Sequence, residues 1–111
     1  MIDKKDRTID LYKRIGAEAR FIKRMMCWFV VDSSKIMYAQ DTEKLMNISR
    51  KMDTIISGME DQMFRDYPEL DHDYINVFYG APDIETLNSV DAEVKEIMAD
   101  MLRVIMGGDP K

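Results

Sequence analysis

The sequence predicts an all-α fold: a small, elongated helical bundle of three to four helices, with residues 1–111 as a single domain. Three observations lead to this prediction. Apolar residues recur at alternating intervals of three and four in the long segments of the chain. Only three prolines and five glycines interrupt the 111 residues, of which 46% are hydrophobic and 33% charged, as in folded globular proteins. The pattern favours two long antiparallel helices, a short helix and a C-terminal helix.

The first helix is predicted to begin between Asp3 and Asp6 and to continue to about Val31. Acidic residues at its start interact favourably with the positive end of the helix dipole. One face is apolar along the whole segment and is formed by Tyr12, Ile15, Ala19, Ile22, Met26 and Phe29. Gly16, beside Ala17, makes the helix thin, so a bulky element can cross it at this point.

The link between the first and second helices allows two interpretations. Residues 28–31 and 36–38 are β-prone, which permits a strand hairpin. A helix turn is favoured, because the helical spacing continues to Phe29 and residues 32–34 are good N-caps. The second helix is then predicted over residues 34–64, with an apolar face formed by Tyr38, Leu45, Ile48, Met52, Ile55 and Met59.

Residues 65–83 contain two of the three prolines and are predicted to form turns around a short helix. Asp71 is its expected cap and Gly80 its expected end. The last helix is predicted from about Asp83 to Met106. Its inward face comprises Ile84, Leu87, Val90, Val94, Ile97, Met101 and Ile105, and its outward face comprises Asp91, Glu93, Glu96 and Asp100.

The predicted lengths of the two long helices indicate an elongated molecule. Helices of about 28 to 30 residues are roughly 42 to 45 Å long, whereas a compact chain of this size has a diameter of roughly 34 Å. A homodimer that covers the overhanging apolar faces is therefore expected. The chain also has eleven methionines, and those beside the apolar faces widen them: Met25, Met37, Met46, Met63 and Met98.

Charge is distributed unevenly along this acidic chain of net charge −5. Residues 1–24 contain eight basic and four acidic residues, whereas residues 53–100 contain thirteen acidic and two basic ones. The two parts are expected to attract each other within the fold or between subunits. The alternative is a basic face for an acidic partner, or the reverse. When the apolar face of the first helix is directed to a core, Lys13, Arg14, Arg20, Lys23 and Arg24 lie across the opposite side, and most of these five are expected to be solvated.

Several classes of protein are excluded by what the sequence lacks. A single cysteine, Cys27, gives no disulfide framework or thiolate metal cluster. The longest apolar run has seven residues, against the roughly 20 of a membrane-spanning helix, and the first residues do not resemble a secretory signal. A cytoplasmic protein without cofactor, metal site, membrane contact or small-molecule substrate is expected.

The leading functional hypothesis is a non-enzymatic protein-interaction module, acting as a small regulator or inhibitor. The sequence has no catalytic motif and an excess of methionine, which furnishes adaptable contact surfaces. Between positions 74 and 79, five of six residues are apolar or aromatic, and such a segment is either buried or a contact surface. The predicted partner-binding residues are Tyr74, Ile75, Val77, Phe78 and Tyr79.

An alternative hypothesis is a nucleic-acid-associated regulator. A basic helix can lie along a phosphate backbone, to which lysine and arginine bind by charge attraction. The first helix supplies the candidate residues Lys13, Arg14, Arg20 and Arg24. The sequence pI of about 4.8 opposes non-specific binding to nucleic acid.

A third hypothesis rests on the arrangement of Arg65 and His72, which have six residues between them. This pair resembles the catalytic arginine and histidine of HEPN-type helical ribonucleases, and the resemblance covers eight residues. It implies RNA cleavage with Arg65 and His72 on a common helix face. Pro68 lies between the two residues, whereas the family pattern usually lies near the start of a helix.

Overall fold

This computed structural model describes residues 1–79 and 88–105 of the chain. These residues contain three α-helices and two short 3₁₀ helices. The α-helices are α1 (Ile9–Ser33), α2 (Ala39–Asp66) and α3 (Ser89–Ile105), and the 3₁₀ helices are Lys4–Asp6 and His72–Val77. The described residues contain no strand, and the principal extents are 47 × 33 × 29 Å. The prediction of a small, elongated all-α bundle is confirmed. Within the same ranges, no helix combines the length and the apolar character that crossing a membrane requires.

Helix α1 begins at Ile9, later than the sequence predicts. The hydroxyl of Thr8 accepts a hydrogen bond from the Leu11 N–H at 3.1 Å, which is the geometry of an N-cap. The residues before it form a separate 3₁₀ turn. The acids Asp3 and Asp6 are compatible with the first turn of any helix, so they do not distinguish this short turn from the start of α1.

The link between α1 and α2 is a helix turn, as favoured above, and the strand hairpin is wrong. Helix α2 nevertheless starts at Ala39 rather than near Ser34. The hydroxyls of Ser33 and Ser34 donate to backbone carbonyls of α1 at Phe29 and Val31, at 2.5 and 2.7 Å. These serines therefore complete the end of α1 and do not cap α2.

A core of buried apolar side chains lies where the three α-helices meet the 3₁₀ helix His72–Val77. It contains Tyr12, Ala17, Ala19, Ile56, Met63, Val77, Phe78, Val90 and Val94. All of its α1 members precede Arg20 and all of its α2 members follow Asp53, so the core occupies one end of the α1–α2 hairpin. The end that carries the interhelical turn extends beyond the core.

The 3₁₀ helix crosses α1 at Gly16, which confirms that the thin section accommodates another element. A Cβ atom at this position would lie 2.6 Å from Val77 Cγ1 and 2.7 Å from its carbonyl carbon. No side chain fits at that distance. Glycine is therefore required here by close packing of backbone against backbone.

The basic residues of α1 pair with the acidic residues of α3, so the charge attraction predicted from the sequence operates within the fold. Arg20 Nη2 lies 2.9 Å from Asp91 Oδ1, and Lys13 Nζ lies 2.5 Å from Glu93 Oε2. Asp91 is completely buried and also lies 3.3 Å from Lys95 Nζ. Lys13 and Arg20 are therefore not among the solvated basic residues of α1. The expectation that Asp91 faces outward is wrong, because its charge is neutralised at the α1–α3 contact.

The later elements agree with the sequence where the structure describes them. Asp71 caps the 3₁₀ helix by accepting a hydrogen bond from the Asp73 N–H at 3.0 Å. Asn88 does the same for α3, accepting from the Asp91 N–H at 2.9 Å. Of the predicted inward face of α3, Val90 and Val94 are buried but Ile105 is 63% exposed. The predictions for Gly80, Asp83, Ile84, Leu87 and Met106 lie outside the described residues.

Candidate functional site

The five residues predicted to contact a partner do not form a common exposed surface. Val77 is fully buried and Phe78 is 1% exposed, and both belong to the core. Tyr74, Ile75 and Tyr79 are half-buried. Both tyrosine rings lie 5.6 Å from the ammonium group of a lysine of α1. Of the two interpretations of this segment, burial applies to Val77 and Phe78, which belong to the core.

The four basic residues predicted to contact nucleic acid do not form one exposed face. Lys13 and Arg20 are buried, and their charges are paired with α3. Arg24 is half-buried, and Arg14 is exposed with Glu18 3.8 Å away. A phosphate backbone requires several accessible cations along its path. Two of the four predicted cations are therefore not available for this contact.

Arg65 and His72 are exposed and lie on different elements. Arg65 is in the last turn of α2, where its Nη2 donates to Gln62 Oε1 at 2.7 Å. His72 is the first residue of the following 3₁₀ helix. The intervening residues 67–71 leave the helical path. The common helix face implied by the resemblance to HEPN ribonucleases is therefore absent.

A buried carboxylate joins the start of α1 to the end of α2. Asp66 accepts hydrogen bonds from Arg7 Nε and Nη2 at 2.7 and 2.9 Å, from the Tyr12 hydroxyl at 2.5 Å and from Gln62 Nε2 at 3.0 Å. The hydrogen bonds from Arg7 and Tyr12 hold the pKa of Asp66 well below its usual range. Burial, together with the hydrogen bond to Asp66, raises the pKa of Tyr12 to about 12. With four donors on its two oxygens the carboxylate is fully satisfied, which indicates a structural role.

Trp28 lies between two grooves, in the part of the α1–α2 hairpin that is near the interhelical turn. Its side chain is 59% exposed, which is unusual for a large aromatic residue. The groove on one side has a volume of about 430 Å³, and the groove on the other about 410 Å³. The apolar lining is provided by Phe78 and Tyr79 in the first groove, and by Phe21, Met25, Met98, Ala99 and Leu102 in the second.

Basic side chains surround Trp28. Arg24 lines both grooves, Arg20 and Lys23 line the first, and Lys95 lines the second. Asp53 lies 2.5 Å from Lys23 Nζ, and Asp91 pairs with Arg20 and Lys95. The two grooves therefore combine an apolar lining with charged side chains at their edges.

A second apolar surface lies on the α1–α2 hairpin. We call it the open face, and it comprises Ile15 and Ile22 of α1 and Ile48, Ile55 and Met59 of α2. Ile22, Ile48, Ile55 and Met59 are 48%, 53%, 61% and 38% exposed. Leu11, Ile15, Ile55 and Met59 line a cavity of about 440 Å³ between the two helices. The predicted apolar face of α2 therefore lies partly outside the core, which is formed instead by Ile56 and Met63.

The exposed position of Trp28 was not predicted, although the sequence contains a signal for it. Four consecutive apolar residues, 28–31, span about 300° around a helix. A helix packed on one side cannot bury all of them, so at least one must face outward. In the structure Trp28, Phe29 and Val31 are all exposed. Which of them borders grooves depends on where α3 crosses, and the sequence pattern of α1 does not contain that information.

Comparison with known proteins adds no relative to these observations. No protein-family model, curated protein or solved structure matches the chain. Function therefore has to be inferred from the surfaces themselves.

Proposed function

We propose that the chain is a non-enzymatic helical interaction module that binds a protein partner through the two grooves beside Trp28. The observation that carries this proposal is the exposed indole itself, which is 59% accessible between two apolar grooves. Tryptophan is the residue type most enriched among those that dominate binding energy at protein interfaces. A partner segment that inserts apolar side chains into both grooves encloses this ring.

The lining of the two grooves defines the kind of partner further. Phe78 and Tyr79 line one groove, and Phe21, Met25 and Leu102 line the other. A helical segment with apolar side chains along one face can occupy both grooves while its polar face stays in water. We therefore propose an amphipathic segment as the ligand, and regulation or inhibition of the protein that carries it as the role.

The test is capture of partners by tagged protein from the source cell, with and without nuclease, followed by affinity measurement with the purified partner. We expect a protein partner that is retained after nuclease treatment. Trp28→Ala should weaken its binding by about 30-fold, the effect of removing one dominant interface residue. Tyr38→Ala is the matched control, because Tyr38 is an aromatic residue that is 80% exposed and does not line either groove.

Two results contradict the proposal. Equal affinity of the Trp28→Ala variant and the wild type would place the contact elsewhere. Recovery of nucleic acid, with loss of every protein after nuclease treatment, would support the nucleic-acid hypothesis and the contribution of Arg14 and Arg24 to it. Circular dichroism of each variant establishes that the helices are intact before affinities are compared.

A further inference from the structure

The two sides of the α1–α2 hairpin differ in what covers them. On one side, α3 and the 3₁₀ helix His72–Val77 pack against α1, with Lys13, Gly16 and Arg20 in the contact. Helix α2 packs mainly on α1. The other side of the hairpin is the open face, on which Ile22, Ile48 and Ile55 are about half exposed and Ile15 packs partly against the core. Among the described residues, Met1 and Ile2 lie beside Ile15 and Ile55, and the end of α3 lies beside Ile22. The open face is therefore covered only in part.

The spacing of the open face is that of a helical bundle interface. Ile15 and Ile22 are seven residues apart on α1, Ile48 and Ile55 are seven residues apart on α2, and Met59 follows four residues later. A repeat of seven places side chains along one side of a helix and interlocks them with a neighbouring helix that has the same repeat. A pair of antiparallel helices with this pattern is half of a four-helix bundle.

We propose that a second copy of this chain covers the open face, so that two hairpins form a four-helix bundle with two-fold symmetry. This inference concerns a different surface from the one proposed for the partner and does not depend on it. A two-fold axis parallel to the helices places α1 of each copy against α2 of the other. The same five residues of each copy then face one another, as a self-complementary interface requires.

The stretch of the hairpin that contains the open face has the size of a small interface. From Leu11 to Phe29 it is about 27 Å long, and two adjacent helices are roughly 19 Å wide. The footprint is therefore about 500 Å² per copy and about 1,000 Å² in total, which is the lower limit for a biological interface. A partner that covers this area has to be about as long as the hairpin, and the second hairpin has that length.

Charge at the edge of the open face agrees with this arrangement. The ion pair between Lys23 and Asp53 fixes the register of the two antiparallel helices. Asp32 on α1 and Lys44 on α2 each lie nine residues from that pair, towards the turn. When α1 of one copy packs on α2 of the other, Asp32 and Lys44 meet at the same height. Both side chains are more than 70% exposed in the single chain.

The test is the molar mass of the purified full chain in solution, measured by light scattering over a range of concentrations. We expect twice the chain mass of 13.0 kDa. The double variant Ile48→Lys with Ile55→Lys should weaken dimerisation by at least about 100-fold, because like charges are brought together in the interface. The control is Ile36→Lys with Met46→Lys, an equal change of charge at exposed apolar residues outside the open face, which should remain dimeric.

A distance measurement gives a second readout. The chain has one cysteine, Cys27, which is exposed and lies outside the open face, so one spin label per chain reports only distances between copies. We expect one defined distance in the wild type and none in the double variant. A monomeric wild type at all concentrations, a larger assembly, or a double variant that stays dimeric with intact helicity would each overturn the inference. Loss of partner capture in the Trp28→Ala variant, with an unchanged dimer mass, would show that the partner and the second copy bind to different surfaces.

Discussion

At the scale of single residues, the two described helical glycines have opposite roles. A Cβ at Gly16 would lie 2.6 Å from Val77 Cγ1, whereas nothing lies within 4 Å of a Cβ at Gly58. We expect Gly16→Ala to destabilise the protein by about 1–3 kcal/mol, because the 3₁₀ helix has to move away. Gly58→Ala should stabilise it by about 1 kcal/mol through improved helix propensity. Urea unfolding followed by circular dichroism measures both, and equal effects would show that the crossing tolerates a methyl group.

The hydroxyl of Tyr12 makes stability depend on alkaline pH. Its pKa is about 12 in the folded chain, against 10.0 without the burial and the hydrogen bond to Asp66. A pKa that is raised by folding contributes stability that is fully present below pH 10 and is lost as the pH rises towards 12. We expect the free energy of unfolding of the wild type to fall between pH 9.5 and 11.5 by on the order of 1 kcal/mol more than that of Tyr12→Phe. If the free energies of unfolding of the wild type and of Tyr12→Phe changed equally with pH, this assignment would be contradicted.

At the scale of elements, the packing of α3 on α1 depends on a buried ion pair. Asp91 is completely buried between Arg20 and Lys95. Arg20→Met removes one partner and should cost about 3–5 kcal/mol, because a carboxylate is left with less compensation. The double variant Arg20→Met with Asp91→Leu should recover most of that loss, since neither charge is then buried without its partner.

The matched control for this comparison is Arg14→Met, on the same helix. The Arg14 side chain is 72% exposed, so the free energy of unfolding should change by no more than about 0.5 kcal/mol. Thermal and urea unfolding of the wild type and the three variants measures these differences. If Arg20→Met and Arg14→Met have similar effects, the buried pair does not determine how α3 packs on α1.

The elements themselves were largely predictable, because helical spacing is a local property of the sequence. The two long helices, the turn between them, the cap at Asp71 and the thin section at Gly16 follow from patterns of a few residues. Helix starts were predicted less well. Thr8 caps α1, and Ser33 donates a hydrogen bond to the Phe29 carbonyl of α1 instead of capping α2. At both ends several polar side chains are suitable caps, and the helical spacing does not show which of them bonds to which backbone group.

At the scale of the whole molecule, the sequence indicated the attraction between its basic and acidic parts but not the side on which they meet. Lys13 and Arg20 were placed on the side away from the core because the apolar face of α1 was assigned to the core. In the structure α2 covers only part of the apolar side of α1, and α3 covers its basic side at Lys13 and Arg20. The surfaces beside Trp28 and Ile55 are the parts of the hairpin that stay exposed once α3 has packed on α1. They could not be located from the sequence, because the position of α3 was not known.

The pairing of α1 with α3 also affects how the chain is made. Lys13 and Glu93 are 80 residues apart, and a ribosome that adds about 5–20 residues per second needs roughly 4–16 s to synthesise that interval. The α1–α2 hairpin is complete at Asp66 and can form within this time. Lys13 and Arg20, however, stay without their acidic counterparts until α3 emerges. For those seconds the nascent chain presents these two cations, which the finished protein buries, to any anionic surface nearby.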